Sequence, residues 1–298
     1  MNAPTNWPHG KRIAVAVSCM VETWSPGHWP TYFTRTTPLR SGTLDFAGIN
    51  WSQYGAREGI WRLLYILNNH GIKGTVQLNG KSAELYPDVV QAAVSAGHAI
   101  VAHGYYQNEL LLYMTPEDEK AAIRKTMEAI EKAAGRRPRG WATPIYGFSE
   151  RTIDYLIDEK IVWTHDTLDT SLPYRSSTER GSIVLFPWTD FVDNRVLRAD
   201  PSGLFNAQKD AFDYLRAKEA LGIVHIGLHA HVGGRPTMAA QVDRLLTYFK
   251  TFDDVWFTCP DDIVQWMETA KIDDLAGAAK QTFVKAINMK PRGNAAAE

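Results

Sequence analysis

The sequence predicts a single α/β domain, built as a distorted barrel in which parallel strands alternate with helices. Short apolar, β-branched segments alternate with segments of helical period along most of the 298 residues, which is typical of a parallel sheet. Up to eight such strands can be counted, and this number favours a barrel related to the (β/α)₈ type over an open sheet. No linker divides the chain. We therefore predict an N-terminal arm at residues 1–11, the barrel at residues 12–270 and a partly flexible extension at residues 271–298.

The strands are predicted from eight segments rich in Ile, Val and aromatic residues. In chain order they are RIAVAVSC, GTVQLN, HAIVAHG, RGWATP, IVWTHD, SIVLFPW, GIVHIGLHAH and DVWFTC. The first segment has an alternative interpretation as a lipoprotein signal, because basic residues precede its apolar run and Cys19 follows. Its apolar run from Ile13 to Val17 is shorter than the 7 to 15 residues of a signal core, so a core strand is favoured.

The helices are predicted from periodicity and from end signals. In REGIWRLLYILNNHG the apolar residues share one face and Gly71 supplies a C-cap. In TPEDEKAAIRKTMEAIEKAAG, Thr115 is the N-cap and Pro116 takes the first helical position. Further helices are predicted in PDVVQAAVSAG, SERTIDYLIDEK, NAQKDAFDYLRAKEAL, TMAAQVDRLLTYFKTF and PDDIVQWMETA. Residues 25–54 show no clear period, and we expect them to form a wall or lid over a site.

Charge and composition exclude several classes of function. The 32 basic and 33 acidic residues leave no field that would attract nucleic acid or an anionic membrane. No stretch approaches the roughly 20 apolar residues of a membrane span. Cys19 and Cys259 are the only cysteines, so neither a disulfide framework nor a four-thiolate metal site can form within one chain. We expect a cytoplasmic protein whose partner is a small molecule, with neither nucleic acid nor membrane bound.

Polar side chains follow the predicted strands at their carboxyl ends, where barrels of this kind carry their active sites. The first strand offers Glu22, the third offers His103 and the seventh offers His229. The other polar and aromatic side chains at strand ends are Gln77, Asn79, His165, Asp166, Trp188, Asp190 and His231. A carboxylate and several imidazoles at one rim can form an acid–base site. The alternative for each histidine taken singly is a hydrogen-bonded structural role.

Three long segments of the chain resemble the NodB-homology, or polysaccharide deacetylase-like, superfamily of hydrolases. They are GIKGTVQLNGKSAELYPDVVQAAVSAGHAIVAHGY, RGWATPIYGFSERTIDYLIDEKIVWTHDTLDTSLPYR and LHAHVGGRPTMAAQVDRLLTYFKTFDDVWFT. The similarity covers about Arg12 to Met267 and is greatest to the branch with metal-independent, PuuE-type allantoinases, cyclic imide hydrolases and related peptidoglycan deacetylases. It implies a barrel of the NodB type and a homo-oligomer, often a homotetramer in that branch.

The resemblance also implies a modified site. Metal-dependent deacetylases of the superfamily carry aspartates after the first strand, and the matching positions here are Met20 and Glu22, or close to them. Of the two metal-binding histidines four residues apart, the segment HGYYQ keeps His103 and replaces the second by Gln107. Ala142 stands where those enzymes often carry an arginine. We therefore expect no metal cofactor; zinc or another divalent ion is the alternative, with Glu22 and His103 as its ligands.

These observations predict a hydrolase of a non-peptide C–N bond in a small cyclic amide, such as a ureide, hydantoin or imide. Without a metal, a general base must activate water, and we expect Glu22 or His229 in that role. His103 would donate to the carbonyl or protonate the leaving nitrogen. The expected substrate-binding residues are Trp24, His28, Asn79, Gln107, Trp141 and Arg235. Two alternatives stay open: a metal-dependent N-deacetylase of an acetylated sugar or peptidoglycan, and a non-catalytic barrel that binds a ligand.

Overall fold

The computed structural model describes residues 4–33, 35–189, 191–197 and 199–288. Its strands are β1 (Ile13–Val21), β2 (Thr75–Leu78), β3 (Ala99–Ala102), β4 (Gly140–Trp141), β5 (Trp163–Thr164), β6 (Tyr174–Thr178), β7 (Gly181–Leu185), β8 (Gly222–His229) and β9 (Val255–Thr258). All eight predicted strands are present. The strand that the sequence analysis missed is β6, an edge strand whose side chains are half-buried or exposed, so that its sequence lacks the apolar signal.

The helices surround this sheet and include all seven predicted ones. They are α1 (Phe46–Tyr54), α2 (Ile60–His70), α3 (Gly80–Leu85), α4 (Pro87–Ser95), α5 (Pro116–Ala134), α6 (Thr152–Asp158), α7 (Ser202–Lys218), α8 (Ala230–Gly233), α9 (Pro236–Phe249), α10 (Pro260–Ala270) and α11 (Leu275–Asn288). The predicted end signals are confirmed: Gly71 adopts the left-handed conformation after α2, and the Thr115 hydroxyl accepts the Asp118 N–H at the start of α5. No helix in the described ranges is long and apolar enough to cross a membrane.

The sheet is a curled half-barrel rather than a closed ring. Its strand order is β6–β7–β5–β4–β3–β2–β1–β8, and β9 pairs with β1. One edge of β1 pairs with β8 along residues 13–20, while β9 and β2 share the other edge. The two ends of this order, β6 and β8, are not paired with each other within the described residues, so the sheet stays open between them. Apart from the β6–β7 hairpin the pairs are parallel, so the carboxyl ends of the strands meet on one side.

The two terminal segments behave differently from each other. In the arm predicted at residues 1–11, Trp7 is buried against Trp256 and Trp266, and its indole N–H donates to the Gly222 carbonyl. The arm is therefore docked on the barrel at Trp7. In the extension, α11 leaves most of its side chains exposed. The tail predicted at the end of the chain lies largely at residues 289–298, outside the described residues.

A close contact between backbones positions α8, the short helix after β8. A π-helical turn, Gly55–Gly59, joins α1 to α2, and a Cβ atom on Gly59 would lie 1.9 Å from the Ala230 carbonyl oxygen. Both groups belong to backbone segments held by neighbouring helices, so moving either segment away from the other costs free energy. We expect Gly59→Ala to lower the free energy of unfolding by about 1–3 kcal/mol, as overpacking of a fitted core does.

Urea denaturation of the purified protein would measure this loss. Gly135→Ala is the matched control, because a Cβ atom there meets nothing within 4 Å and the cost is limited to its positive φ. Equal stability of Gly59→Ala and the unchanged protein would show that the contact with Ala230 relaxes freely.

Candidate active site

A cavity of about 490 Å³ lies at the carboxyl ends of the strands, where the sequence predicted a site. Six of the predicted site residues line it: Glu22, Trp24, His28, His103, Gln107 and His229. Part of the segment predicted as a wall or lid, from His28 to Tyr32, forms one side. This segment is tied down where Arg35 donates two hydrogen bonds to Asp45, the N-cap of α1. The structure thus brings Glu22, His103 and His229, the three predicted catalytic residues, to one aromatic-walled cavity.

Glu22 follows the last residue of β1 and presents a buried carboxylate to the cavity. Its Oε1 lies 3.5 Å from His103 Nε2, and its Oε2 lies 3.8 Å from His231 Nδ1. Neither oxygen has a hydrogen-bond partner in the structure. Burial alone would raise the pKa of Glu22, but the imidazoles around it, above all His229, outweigh burial and hold the pKa at about 2. Glu22 is therefore an ionised acceptor with free oxygens.

His229 ends β8 and is held by a residue that the sequence analysis did not single out, Asp193. The His229 Nδ1 lies 2.6 Å from Asp193 Oδ1, and the His229 backbone N–H donates to Asp193 Oδ2 at 2.8 Å. Burial would lower the pKa of His229, but the charges of Asp193 and Glu22 raise it to about 9. With Nδ1–H committed to Asp193, the Nε2 side of a protonated ring is left for the cavity.

His103 has its tautomer set by the backbone. Its Nδ1 lies 2.8 Å from the Ala142 carbonyl oxygen, which can only accept, so Nδ1 carries a proton. Its Nε2 is buried and has no hydrogen-bond partner. Because Nε2 lies 3.5 Å from a Glu22 oxygen, a water molecule bound beside this pair could contact both the carboxylate and the imidazole nitrogen.

His231, just after β8, is enclosed by aromatic rings. It stacks on Tyr32 and lies edge-on to Trp24 and Trp51, at centroid distances of 5.9, 5.5 and 5.0 Å. Burial lowers the pKa of His231 to about 3, so its ring is neutral. The Tyr32 hydroxyl lies 2.7 Å from Nε2, and donation from this hydroxyl leaves the ring proton on Nδ1, facing Glu22.

Asn79 and Gln107 take part in a hydrogen-bond network that joins the loops after β1 and β3. The Asn79 carbonyl oxygen accepts the Thr23 N–H at 2.8 Å, while its amide group donates to the His103 carbonyl oxygen and, at 3.4 Å, to Gln107 Oε1. The Gln107 backbone N–H donates to the Thr23 carbonyl oxygen at 2.9 Å. Gln107 lines the cavity, but Asn79, predicted to bind substrate, lies behind it and fixes the loops after β1 and β3.

Trp141 and Arg235, the other two predicted substrate-binding residues, also lie outside the cavity lining. The Trp141 indole N–H donates to Thr143 Oγ1 at 2.8 Å, and Thr143 in turn donates to Asp166. The Arg235 guanidinium donates to the His231 carbonyl oxygen at 2.9 Å and lies 4.3 Å from the centre of the Tyr54 ring. Both residues support the site from behind.

Three further strand-end residues, Gln77, His165 and Asp166, line the cavity. Asp166 is buried and accepts the N–H and hydroxyl of Thr143 at 2.9 and 2.6 Å. His165 Nδ1 lies 2.9 Å from the Phe186 carbonyl oxygen, while its Nε2 has no partner. The Gln77 Nε2 is likewise buried without a partner, and Gln77 lines the cavity. Asp190 lies outside the described residues.

The superfamily's metal requires a donor set that these residues do not supply. Among the described residues there is no group of three His, Cys, Asp or Glu side chains that could hold a metal ion. Catalytic zinc takes three protein ligands and an open position. At the matching positions the chain has the thioether of Met20 and the amide of Gln107, whose oxygen already accepts from Asn79. Glu22 and His103 alone do not make a zinc site.

Comparison with known proteins agrees with this geometry at the level of the family. Residues 52–160 match the polysaccharide deacetylase family. A Schizosaccharomyces pombe protein, provisionally named a polysaccharide deacetylase, is 24% identical over 87% of this chain and 91% of its own length. A Helicobacter pylori peptidoglycan deacetylase is 29% identical, but the match covers 41% of each chain.

Solved structures extend the likeness over nearly the whole chain. The crystal structure of PuuE allantoinase superposes with a TM-score of 0.81 at 29% identity, covering 90% of this chain and 95% of that one. A probable polysaccharide deacetylase of Pseudomonas aeruginosa PAO1 gives a TM-score of 0.79 at 27% identity, covering 89% and 94%. The predicted resemblance to the polysaccharide deacetylase-like (NodB-homology) superfamily is confirmed, with the family match itself lying at residues 52–160.

Proposed function

We propose that the chain hydrolyses a non-peptide C–N bond in a small cyclic amide, such as a ureide, hydantoin or imide, by general acid–base catalysis. One observation carries the proposal: an ionised carboxylate with two free oxygens and a protonated imidazole line the same buried cavity. The relatives support its coarser part. The named deacetylases and the allantoinase are hydrolases of carbon–nitrogen bonds other than peptide bonds, and this predicted enzyme class is confirmed.

The two pKa values favour Glu22 as the base, a role that the sequence left open between Glu22 and His229. Glu22, with a pKa of about 2, is ionised at neutral pH and can accept a proton. His229, with a pKa of about 9, is already protonated and cannot. Glu22 therefore takes a proton from water, and the water oxygen attacks the ring carbonyl carbon.

His229 then acts as the general acid. As the tetrahedral centre collapses, the C–N bond breaks and its electron pair takes the proton from His229 Nε2, which opens the ring. Asp193 keeps the Nδ1 proton throughout. The two transfers assist each other, because loss of the charge on His229 removes the main influence that keeps the pKa of Glu22 low. The products are a carboxyl group and the freed nitrogen. Glu22 then releases its proton to water and His229 takes one back from water, so both groups return to their starting states.

A donor for the carbonyl oxygen is present in the cavity lining. Gln77 Nε2 is a buried donor without a partner, whereas the Nδ1 proton of the neutral His231 faces Glu22 from outside the lining. Donors already in place in a dry cavity stabilise a developing oxyanion strongly. The walls formed by Trp24, Trp29 and Tyr146 suit a flat ring, and about 490 Å³ is in the range of small-molecule pockets.

A metal-dependent N-deacetylase is the second candidate, favoured by the family model and by the names of the curated relatives. It needs a metal at Glu22 and His103, and its substrate would be an acetylated sugar. The two candidates therefore differ in metal content as well as in substrate.

The test combines elemental mass spectrometry of protein purified without added metal or chelator with two substrate panels. We expect substoichiometric transition metal, ring opening of hydantoin, allantoin or succinimide, and no loss of activity after EDTA. One zinc per chain together with deacetylation of N-acetylglucosamine oligomers would establish the second candidate instead. Ring binding without turnover, unchanged in Glu22→Gln and His229→Ala, would point to a non-catalytic barrel.

A further inference from the structure

A second cavity of about 340 Å³ lies beside the first, at the open side of the sheet. Its walls are the segment after β7 and the outer edge of β8, including Ile223 and His225. Leu168, Trp188 and Thr189 line both cavities. Because Trp188 is by far the largest of the three, its indole forms most of the partition between the two spaces.

The indole of Trp188 packs against two histidines that also contact each other. It lies edge-on to His165 of the catalytic cavity, at a centroid distance of 4.6 Å, and to His225 of the side cavity, at 4.5 Å, while the two imidazoles lie 5.0 Å apart. Glycine at position 227 of β8 makes room for the indole, since a Cβ atom there would lie 2.7 Å from Trp188 Cζ2. The chain thus places a tryptophan beside β8, where no strand pairing closes the barrel.

We propose that Trp188 is a specificity-determining residue that limits the substrate to compact rings. The inference rests on the proposed function and adds the substrate class: cyclic amides with no substituent, or a small one, on the ring carbon that faces Trp188. A larger substituent would collide with the indole. With the indole removed, the two cavities become one, and the substituent has a place to go.

The lining of the side cavity indicates which larger substituents would fit. Asp169, Ser171 and Gln208 bring polar groups to it, while Ile223 and the rim of His225 are apolar or aromatic. Hydrogen bonds from Thr167 and Tyr174 keep Asp169 an acceptor. A flat group with a terminal hydrogen-bond donor suits such walls, and 5-(4-hydroxyphenyl)hydantoin is the probe that follows.

The experiment compares hydantoin with this probe on the unchanged protein, Trp188→Phe and Trp188→Ala, with Trp61→Ala as matched control. Trp61 is a partly exposed tryptophan of α2 that lines neither cavity. Calorimetric Kd and kcat/KM are measured for both ligands, and thermal melting checks the fold. We expect the unchanged protein and Trp61→Ala to favour hydantoin, and Trp188→Ala to shift the ratio toward the large probe by at least about tenfold, the scale on which a pocket discriminates a few carbon atoms. Trp188→Phe should fall between.

Each outcome decides a separate question. An unchanged ratio in a folded Trp188→Ala, or equal binding of both ligands by the unchanged protein, overturns the role of Trp188 and leaves the proposed function in place. Failure of the unchanged protein to bind or open either ring overturns the proposed function and this inference with it. If Trp188→Ala does not fold, Trp188→Phe decides the question. A preference shifted toward the large probe supports the role of Trp188, and an unchanged preference overturns it.

Discussion

Glu22→Gln is expected to lower kcat for ring opening by about a thousandfold, within the range that general-base catalysis contributes. The amide has nearly the volume of the carboxylate, so the cavity keeps its shape, but it cannot take a proton from water. The buried carboxylate has no hydrogen-bond partner to lose, so the fold should tolerate the change. Steady-state kinetics on the ring that proves active measure kcat, and the effect should fall on kcat rather than on KM.

Glu84→Gln is the control, since Glu84 is a partly exposed glutamate that pairs with Lys81 away from the cavity. Its kcat should match that of the unchanged protein. A Glu22→Gln variant that keeps kcat within about tenfold would assign the base elsewhere, because such a small loss is below what a general base supplies.

The fold could be predicted from the sequence because most of its elements carry their own local signal. Strand β1 is buried along its whole length, and its sequence is a nearly continuous apolar run. Helix α5 has recognisable capping residues at both of its ends. The signal fails where burial is partial. Strand β6 lies at the sheet edge, and α1 has only Gly48 and Ser52 buried, so neither shows an apolar period.

The candidate site was predictable to the extent that it follows strand ends. Parallel strands bring their carboxyl ends together whatever their order in the chain, and this rule alone places Glu22, His103 and His229 around one cavity. Asp193 could not be found in that way. It lies 36 residues before His229, at the start of a short 3-10 helix, and only the folded chain makes them neighbours.

The sequence also could not show which of the predicted residues lie outside the cavity lining. Arg235 and Trp141 were predicted to touch substrate because they match the superfamily, yet their side chains bond to the His231 carbonyl and to Thr143. A sequence pattern marks such positions without saying whether the side chain faces the cavity or supports one that does.

The pH dependence of activity is expected to depend on Asp193. The general acid His229 must be protonated, and with a pKa of about 9 it keeps its proton through neutral pH, so kcat/KM should fall as the pH rises through about 9. Asp193→Asn removes the charge that contributes most to this raised pKa. The alkaline limb should then move down by at least about one pH unit, the smaller end of what a neighbouring opposite charge supplies. A full pH profile of kcat/KM for both proteins measures the shift.

The stability of the folded protein should also depend on the protonation of His229. A histidine whose pKa is raised by folding stabilises the folded state fully below its unfolded pKa, near 6.5, and this contribution is lost as the pH rises through the folded value of about 9. The melting temperature of the unchanged protein should therefore decrease as the pH is raised from about 6.5 to about 9. The decrease should be smaller in Asp193→Asn. Asp243→Asn is the matched control, because Asp243 faces His70 in a partly exposed pair outside the cavity. If the alkaline limb of the kcat/KM profile stays in place in Asp193→Asn, a group other than His229 supplies the proton to the leaving nitrogen. The reason is that this substitution removes a charge 2.6 Å from the His229 ring and should therefore lower the pKa of His229.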